Sequence, residues 1–316
     1  MSKPPEESQP TYYGPVDMSS ATQPTRDSYY GHPIIKQPAW KPEIGWYLFT
    51  GGLAGASSTL ALGATIMGNR RLARTSALVA FAAVNVSPVL LIKDLGRPAR
   101  FLNMLRMFKP TSPMSVGSWI LAGSGGAQSV ATACEVFGVM PRVRVTAQTA
   151  AGLLGPALST YTAALIGNTA VPVWHDAHED LPAVFAASSC ATAGAAAVLF
   201  GHEGSTGPAR RLAVMGGVAG LGLSHAMEKR LGMVGEPYHS GPSGRYMRAA
   251  KASTALGLVG VAAGKGLVRR AGAGMMLAGA AFERFAIFKA GFESARDPRY
   301  TVEPQRRRLA ERGNGV

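Results

Sequence analysis

Lys93-Asp94-Leu95-Gly96-Arg97-Pro98 sets an acid and a base three residues apart at the end of a long apolar run. Charges at such a boundary are costly unless they pair, meet water or meet a partner. Asp94 can therefore hold Arg97 or exchange protons. Tyr161 lies inside another apolar run, where a phenol needs a hydrogen-bond partner. A neighbouring helix can supply that partner, and so can the carbonyl of a bound quinone. Glu135, His225, Glu228 and Glu283 fall in or beside further runs, and ionisable groups in such places are candidates for a proton path. Glu283 and Arg284 are adjacent, so they point about 100° apart on a helix. Each is expected to meet another helix or water rather than simply the other.

Other chemistries find weaker support. His175 and His178 stand at i, i+3 with Asp176 and Glu179 nearby, a composition that could bind metal. The segment sits beside Pro172 and Pro182, however, and interfacial anchoring suits it better, so no metal site is expected. A b-type haem needs axial histidines on spanning helices, and only His225 lies clearly within a run. Cys134 and Cys190 both fall in apolar runs without a CxxC, so neither haem nor an iron–sulfur cluster is expected in this chain. No Ser/His/Asp set and no phosphate-cradling glycine loop stands out.

The elements that position these residues are read from the charge pattern. Charged residues make up 16% of the 316 positions, against about 25% in soluble domains. They and the prolines cluster in short segments between long apolar runs. Eight runs approach the roughly 20 residues a bilayer requires: about 44–67, 72–92, 114–138, 146–168, 181–200, 209–228, 248–265 and 270–290. The net charge of +14 would suggest nucleic acid in a soluble chain, but the bases lie at run ends and in the C-terminal tail. Membrane lipids explain them better, and no nucleic-acid partner is expected. Lys251 and Lys265 edge the seventh run and are expected to snorkel. Gly51/Gly55, Gly216/Gly220 and Gly260/Gly264 are spaced for close helix approach, while Pro88 and Pro156 are expected to kink their helices. No cleavable leader is expected, the first run serving as insertion signal.

An even number of spans puts both termini on one face, together with the 93–113, 169–180 and 229–247 connections. The opposite face has only short links. Trp46, Tyr47, Asp94, Ser118, Trp119, Tyr161, His225, Glu228 and Glu283 then fall toward the terminal face, and Glu135 toward the other. The positive-inside rule is nearly balanced and does not orient the chain. Residues 1–43 are rich in Pro, Ser, Thr and Tyr, and Tyr12-Tyr13-Gly14-Pro15 is echoed by Tyr29-Tyr30-Gly31-His32-Pro33. This composition suits an extended tail, either disordered or laid as a strap on a partner.

Several blocks carry a resemblance. They are Tyr47-Leu48-Phe49-Thr50-Gly51-Gly52-Leu53-Ala54-Gly55, Asp94-Leu95-Gly96-Arg97-Pro98 with Arg100-Phe101-Leu102-Asn103, and Met114-Ser115-Val116-Gly117-Ser118-Trp119. Tyr161-Thr162 leading to Val171-Pro172-Val173-Trp174-His175 and the tail from Ser294 to Tyr300 complete them. Over roughly residues 29–308 the chain resembles the NrfD/PsrC-type membrane subunits of polysulfide reductase-like complexes. The resemblance implies a quinone or quinol site near the face on which a ferredoxin-type iron–sulfur subunit docks, with a molybdopterin oxidoreductase as catalytic subunit. It places the quinone-site tyrosine on Tyr161, with Tyr47, Trp46, Ser118 and Trp119 about it, and the family's loop acid and base on Asp94 and Arg97. An Asn/His pattern found at the start of span 1 in some members is replaced here by Ile44, Trp46 and Tyr47.

The expected fold is thus all-α: a polytopic transmembrane helical bundle of about eight spans. It divides into an extended N-terminal tail (1–43), a transmembrane domain (44–290) and a basic C-terminal tail (291–316). The expected protein is a multi-pass subunit of the cell (plasma) membrane, non-catalytic alone, serving electron transport in anaerobic respiration. The rival readings are a proton channel or transporter, and a passive anchor without a quinone site.

Overall fold

A computed structural model describes residues 34–97 and 99–313. The two Tyr-Tyr-Gly echoes and the tail they sit in lie outside the described residues up to Ile34. Among the described residues every regular element is helical. In chain order these are α1 (Glu43–Ile66), α2 (Arg70–Leu95), α3 (Ala99–Arg106), α4 (Pro113–Phe137), α5 (Pro141–Gly167) and α6 (Pro172–Asp176). There follow α7 (Leu181–Phe200), α8 (Gly207–Leu231), α9 (Gly241–Ala263), α10 (Gly266–Arg296) and α11 (Arg299–Gly313). A 3-10 turn, Gly232–Tyr238, links α8 to α9.

The eight apolar runs correspond to α1, α2, α4, α5, α7, α8, α9 and α10, from 20 residues in α7 to 31 in α10. Four of them, α2, α5, α7 and α10, are long and apolar enough to cross a membrane by length and composition. The expectation of eight spans is met to that extent. In α1 and α4 the Gly, Ser and Thr that let helices pack also dilute the hydropathy. The outward faces nonetheless expose Phe81, Val89, Leu153, Met215 and Val259, an apolar belt that water would not tolerate.

Packing divides the long helices into two bundles. One holds α1, α2, α4 and α5, and the other holds α7, α8, α9 and α10; α1 and α5 against α7, and α1 against α10, join them. The core is graded along the membrane normal. Toward the terminal face it contains Tyr47, Leu158, Tyr161, Trp174, Phe185 and Ile287. Toward the other face it is mostly alanine, with Leu72, Val198, Val261 and Met276.

Polar cross-links agree with the assignment of faces. On the opposite face Asn69 caps α2 by accepting from Leu72 N–H (3.2 Å) and donates to Ser205 O (2.9 Å), joining two connections. On the terminal face the Arg230 guanidinium at the end of α8 holds Glu179 and Asp180 and donates to Asp176 O.

Pro88 and Pro156 sit within continuous helices. Proline has no N–H, so Pro156 leaves the carbonyl of Gly152 without its helical donor. The Thr59 hydroxyl of α1 supplies one at 3.0 Å. This crossing is close because a Cβ on Gly55 would collide with Gly155 O. Only one member of the expected Gly51/Gly55 pair therefore makes the approach; Gly51 has nothing within 4 Å of a built Cβ. A Thr59→Val chain is expected to lose about 1 kcal/mol, as interhelical hydrogen bonds in membranes do, measured by unfolding in mixed micelles.

Candidate functional site

Tyr161 lies in the last two turns of α5, toward the terminal face. It is 9% exposed, and its hydroxyl is fully buried with no hydrogen-bond partner. Ser57, Ser76, Ser124 and Thr162 also lack a partner, but a short hydroxyl on a helix can turn toward its own i−4 carbonyl. A phenol reaches past its own helix, so the acceptor for Tyr161 has to lie beyond α5; the Tyr238 hydroxyl is buried without a partner in the same way. The Tyr47 ring of α1 stands edge-on to it, centroids 6.4 Å apart. The Tyr161 ring passes so close to Gly117 of α4 that any Cβ there would collide with it. Gly117 is the glycine of the Gly117-Ser118-Trp119 block, which gives that block a steric role in seating Tyr161.

The other residues expected here diverge. Trp46 is 48% exposed and packs on Phe285 of α10 (5.2 Å, edge-on), since neighbours on a helix point about 100° apart. Trp119 is 43% exposed, packs on Phe108 and donates weakly to Met107 O (3.4 Å). Ser118 is buried and bonds back to Ser115 O. The side chains brought together are thus Tyr161 and Tyr47, with Gly117 making room.

An Asp94–Arg97 pair does not form. Gly96 takes φ +71°, the chain turns, and Arg97 goes to the surface. Asp94 Oδ1 instead accepts the Lys41 amide N–H at 2.8 Å, tying the segment before α1 to the end of α2. Asparagine keeps that acceptor. Asp94→Asn is therefore expected to cost less than about 1 kcal/mol, while Asp94→Ala costs about 1–2. Loss of turnover in the stable Asn variant would mark Asp94 as a proton donor or acceptor; unchanged turnover would confine it to holding Lys41. Above Asp94 lies α3, with Phe101, Met104 and Leu105 half-buried on one face and Arg100 and Arg106 on the other.

The proton-path candidates separate as well. Glu135 pairs with Arg144 (3.1 Å) on the opposite face, and His225 points out from the bundle. Glu228 and Glu283 are buried in the second bundle. Glu228 accepts from Lys251 of α9 at 2.6 Å, so the Lys251 ammonium ends on a carboxylate; His239 lies 3.7 Å away. Glu283 accepts from Ser224 (2.8 Å). Arg284 stacks on Phe185 (3.6 Å) and donates to Phe185 O. Each thus meets another helix, as expected, and the two also approach one another at 3.9 Å. His175 and His178 stack at 5.7 Å, and among the described residues no group of three His, Cys, Asp or Glu could hold a metal ion. Sequence reasoning missed Gly117, Lys251, Ser224 and His239. The spacing of Ser224 and Glu228, one helical turn apart, was the available signal for the second cluster.

Residues 27–229, more than half of the chain, match the family model NrfD_2, described as polysulfide reductase. The match contains α1 to most of α8, hence Tyr47, Asp94, Gly117, Tyr161 and Glu228. A search of curated proteins gave no match.

Proposed function

The chain belongs to the NrfD_2 polysulfide reductase family, and from that premise we propose that it is the quinone- or quinol-binding membrane subunit of a respiratory oxidoreductase complex. The observation that carries this reading is the buried, unpartnered hydroxyl of Tyr161. It is a donor held without an acceptor, and a quinone carbonyl supplies one. Tyr47 and Gly117 fix the ring that bears it. Quinone reduction or quinol oxidation moves two electrons and two protons. Electrons come or go through a docked ferredoxin-type iron–sulfur subunit, itself joined to a molybdopterin enzyme, because two separate free cysteines give this chain no cluster ligands of its own. Nearness to the terminal face suits that exchange. The segment before α1, α3, α6 and α11 crowd the same face and supply the docking surface.

Tyr161 lines neither the cavity in the second bundle nor the groove beside α11. Quinone access to it requires displacement of covering side chains, and α3 with its half-buried Phe101 is the cover nearest the Asp94 turn. Asp94, half-buried beside that turn, is the carboxylate placed to exchange protons with water.

The test is extraction of the complex in mild detergent, with quinone quantified and a quinone analogue titrated against intrinsic fluorescence. Saturable binding that weakens in Tyr161→Phe is expected, with an iron–sulfur protein in the same particle. Equal affinity in Tyr161→Phe would remove the site from Tyr161. A particle without quinone or saturable binding would leave a passive anchor.

A further inference from the structure

The second bundle contains a small cavity of about 20 Å³ between α7, α8, α9 and α10. That is room for about one water. Its walls are largely Ala, Gly, Leu and Met, but they also include Ser188, Ser224, Lys251, Thr254 and Glu283, so a water there would find the polar partners that a dry cavity lacks. Two buried acids border this space or its lining. Glu283 lines it and keeps Oε2 without a hydrogen bond; Glu228 grips the lysine that lines it and keeps Oε1 without one. Buried carboxylate oxygens in a membrane interior do not stay empty without cost.

Other charged and titratable groups adjoin the site, among them Arg248, whose guanidinium donates to His239 O at 3.0 Å. Arg284, on the helix of Glu283, is turned to α7 and approaches Glu283 only at 3.9 Å. Tyr238 of the turn before α9 has a buried, unpartnered hydroxyl within electrostatic reach of both acids. Burial and those two carboxylates push its phenol above the ordinary value, so it stays a donor. His239 follows it, 61% exposed on its side chain, 3.7 Å from Glu228. Each of these groups lies at or beyond the end of the family match, or, for Glu228, at its last turn.

We infer that one water occupies this cavity and links Lys251 to Glu283, so that His239, Glu228, Lys251, the water and Glu283 form a proton inlet from the terminal face into the membrane. The transfer balances. The Lys251 ammonium gives a proton to the water as the water gives one to Glu283, and Lys251 is reprotonated from His239 through Glu228. The inlet ends at Glu283, with Arg284 beyond it as a fixed positive charge against Phe185.

Gly220 offers a clean test. It lines the cavity, and a Cβ there meets nothing nearer than Ser188 N at 3.8 Å and Ala187 Cβ at 4.0 Å. Gly220→Ala therefore adds a methyl to the cavity wall without touching a titrating group. Gly216 and Gly217 would not serve, because a Cβ at either collides with α7 backbone or with Leu258 and Met276. The full chain in lipid nanodiscs is followed by infrared difference spectroscopy on a change of bulk pH, with Glu283→Gln identifying the Glu283 carboxyl band. The wild type is expected to show that band responding to bulk pH. Gly220→Ala should lose the response, and His239→Ala, at an exposed position, should slow it. A high-resolution map of the wild type should show density for water touching Lys251 and Glu283. A dry cavity, a Glu283 band blind to bulk pH, or an unchanged response in both Gly220→Ala and His239→Ala overturns the inlet. No arm of the experiment reads quinone, so failure here leaves the Tyr161 reading standing, and the reverse.

Discussion

A Tyr161→Phe chain is expected to assemble at wild-type yield and resist unfolding slightly better, while quinone-linked turnover of its complex falls about ten- to a hundredfold. The two halves of this result have one cause. The phenol hydroxyl is buried without a partner, and such a group costs about 1–3 kcal/mol. Removing it while keeping the ring preserves the edge-on contact with Tyr47 and the close fit over Gly117. Stability should rise by about 1 kcal/mol, since the ring keeps its packing. With a quinone bound, the same hydroxyl donates a hydrogen bond that strengthens as charge gathers on the carbonyl oxygen. Losing a donor of that kind costs about 1.4–2.8 kcal/mol, which is the stated fall in rate. Unfolding in mixed micelles and steady-state turnover with a soluble quinol analogue measure both. A residue that merely packs would move the two readouts together. Lower stability with unchanged turnover would mean that Tyr161 bonds a protein group, and the site would have to be sought elsewhere.

Much of the architecture could be read from hydropathy because a bilayer demands apolar length, and each of the eight apolar runs became a long helix. The edges were harder. α9 begins at Gly241 and α10 ends at Arg296, well outside the apolar runs, because helix continues into the polar face as long as its carbonyls and amides are satisfied. Tyr161 was legible for a simple reason: a phenol in an apolar run has few explanations. Grouping Trp46 and Trp119 with it was a matter of depth alone. Sequence gives depth along a helix well and azimuth poorly when hydrophobicity is nearly uniform around it. Tyr47 turns inward and Trp46 outward on adjacent residues. The Glu228–Lys251 pair was hidden for the opposite reason. Its two residues lie 23 positions apart on two helices, and no local spacing records such a meeting. Asp94 shows a third limit. Arg97 lies three positions further on, a natural spacing for pairing on a helix, but Gly96 ends the helix between them.

Trp174→Ala is expected to produce the largest loss of stability of any single change on the terminal face, about 3–5 kcal/mol. Trp174 is completely buried although its helix, α6, is only five residues long and lies on the membrane surface. Its indole N–H donates to Ile287 O of α10 at 2.7 Å. The ring stacks on Trp40 at 5.3 Å, and Phe288 and Phe292 close around it. Gly291 gives it space; any Cβ there would collide with the indole. One side chain therefore pins three parts of the face: the segment before α1, α6, and the end of α10. Truncation leaves a cavity among rigid helices that cannot collapse, which is the costly case. Trp174→Phe keeps one aromatic ring in the slot but loses the N–H and part of the indole volume, so an intermediate cost of about 1–3 kcal/mol is expected. Denaturant unfolding in mixed micelles gives the two costs. Trypsin cleavage at Lys36, in the segment that Trp40 holds, reports the local effect and should accelerate in the Ala variant well before global unfolding. If the iron–sulfur subunit docks on this face, the Ala variant should also lose it during purification while the Phe variant retains it. Equal cleavage and equal stability in wild type and Trp174→Ala would show that α10 and the entry segment hold their places without the indole.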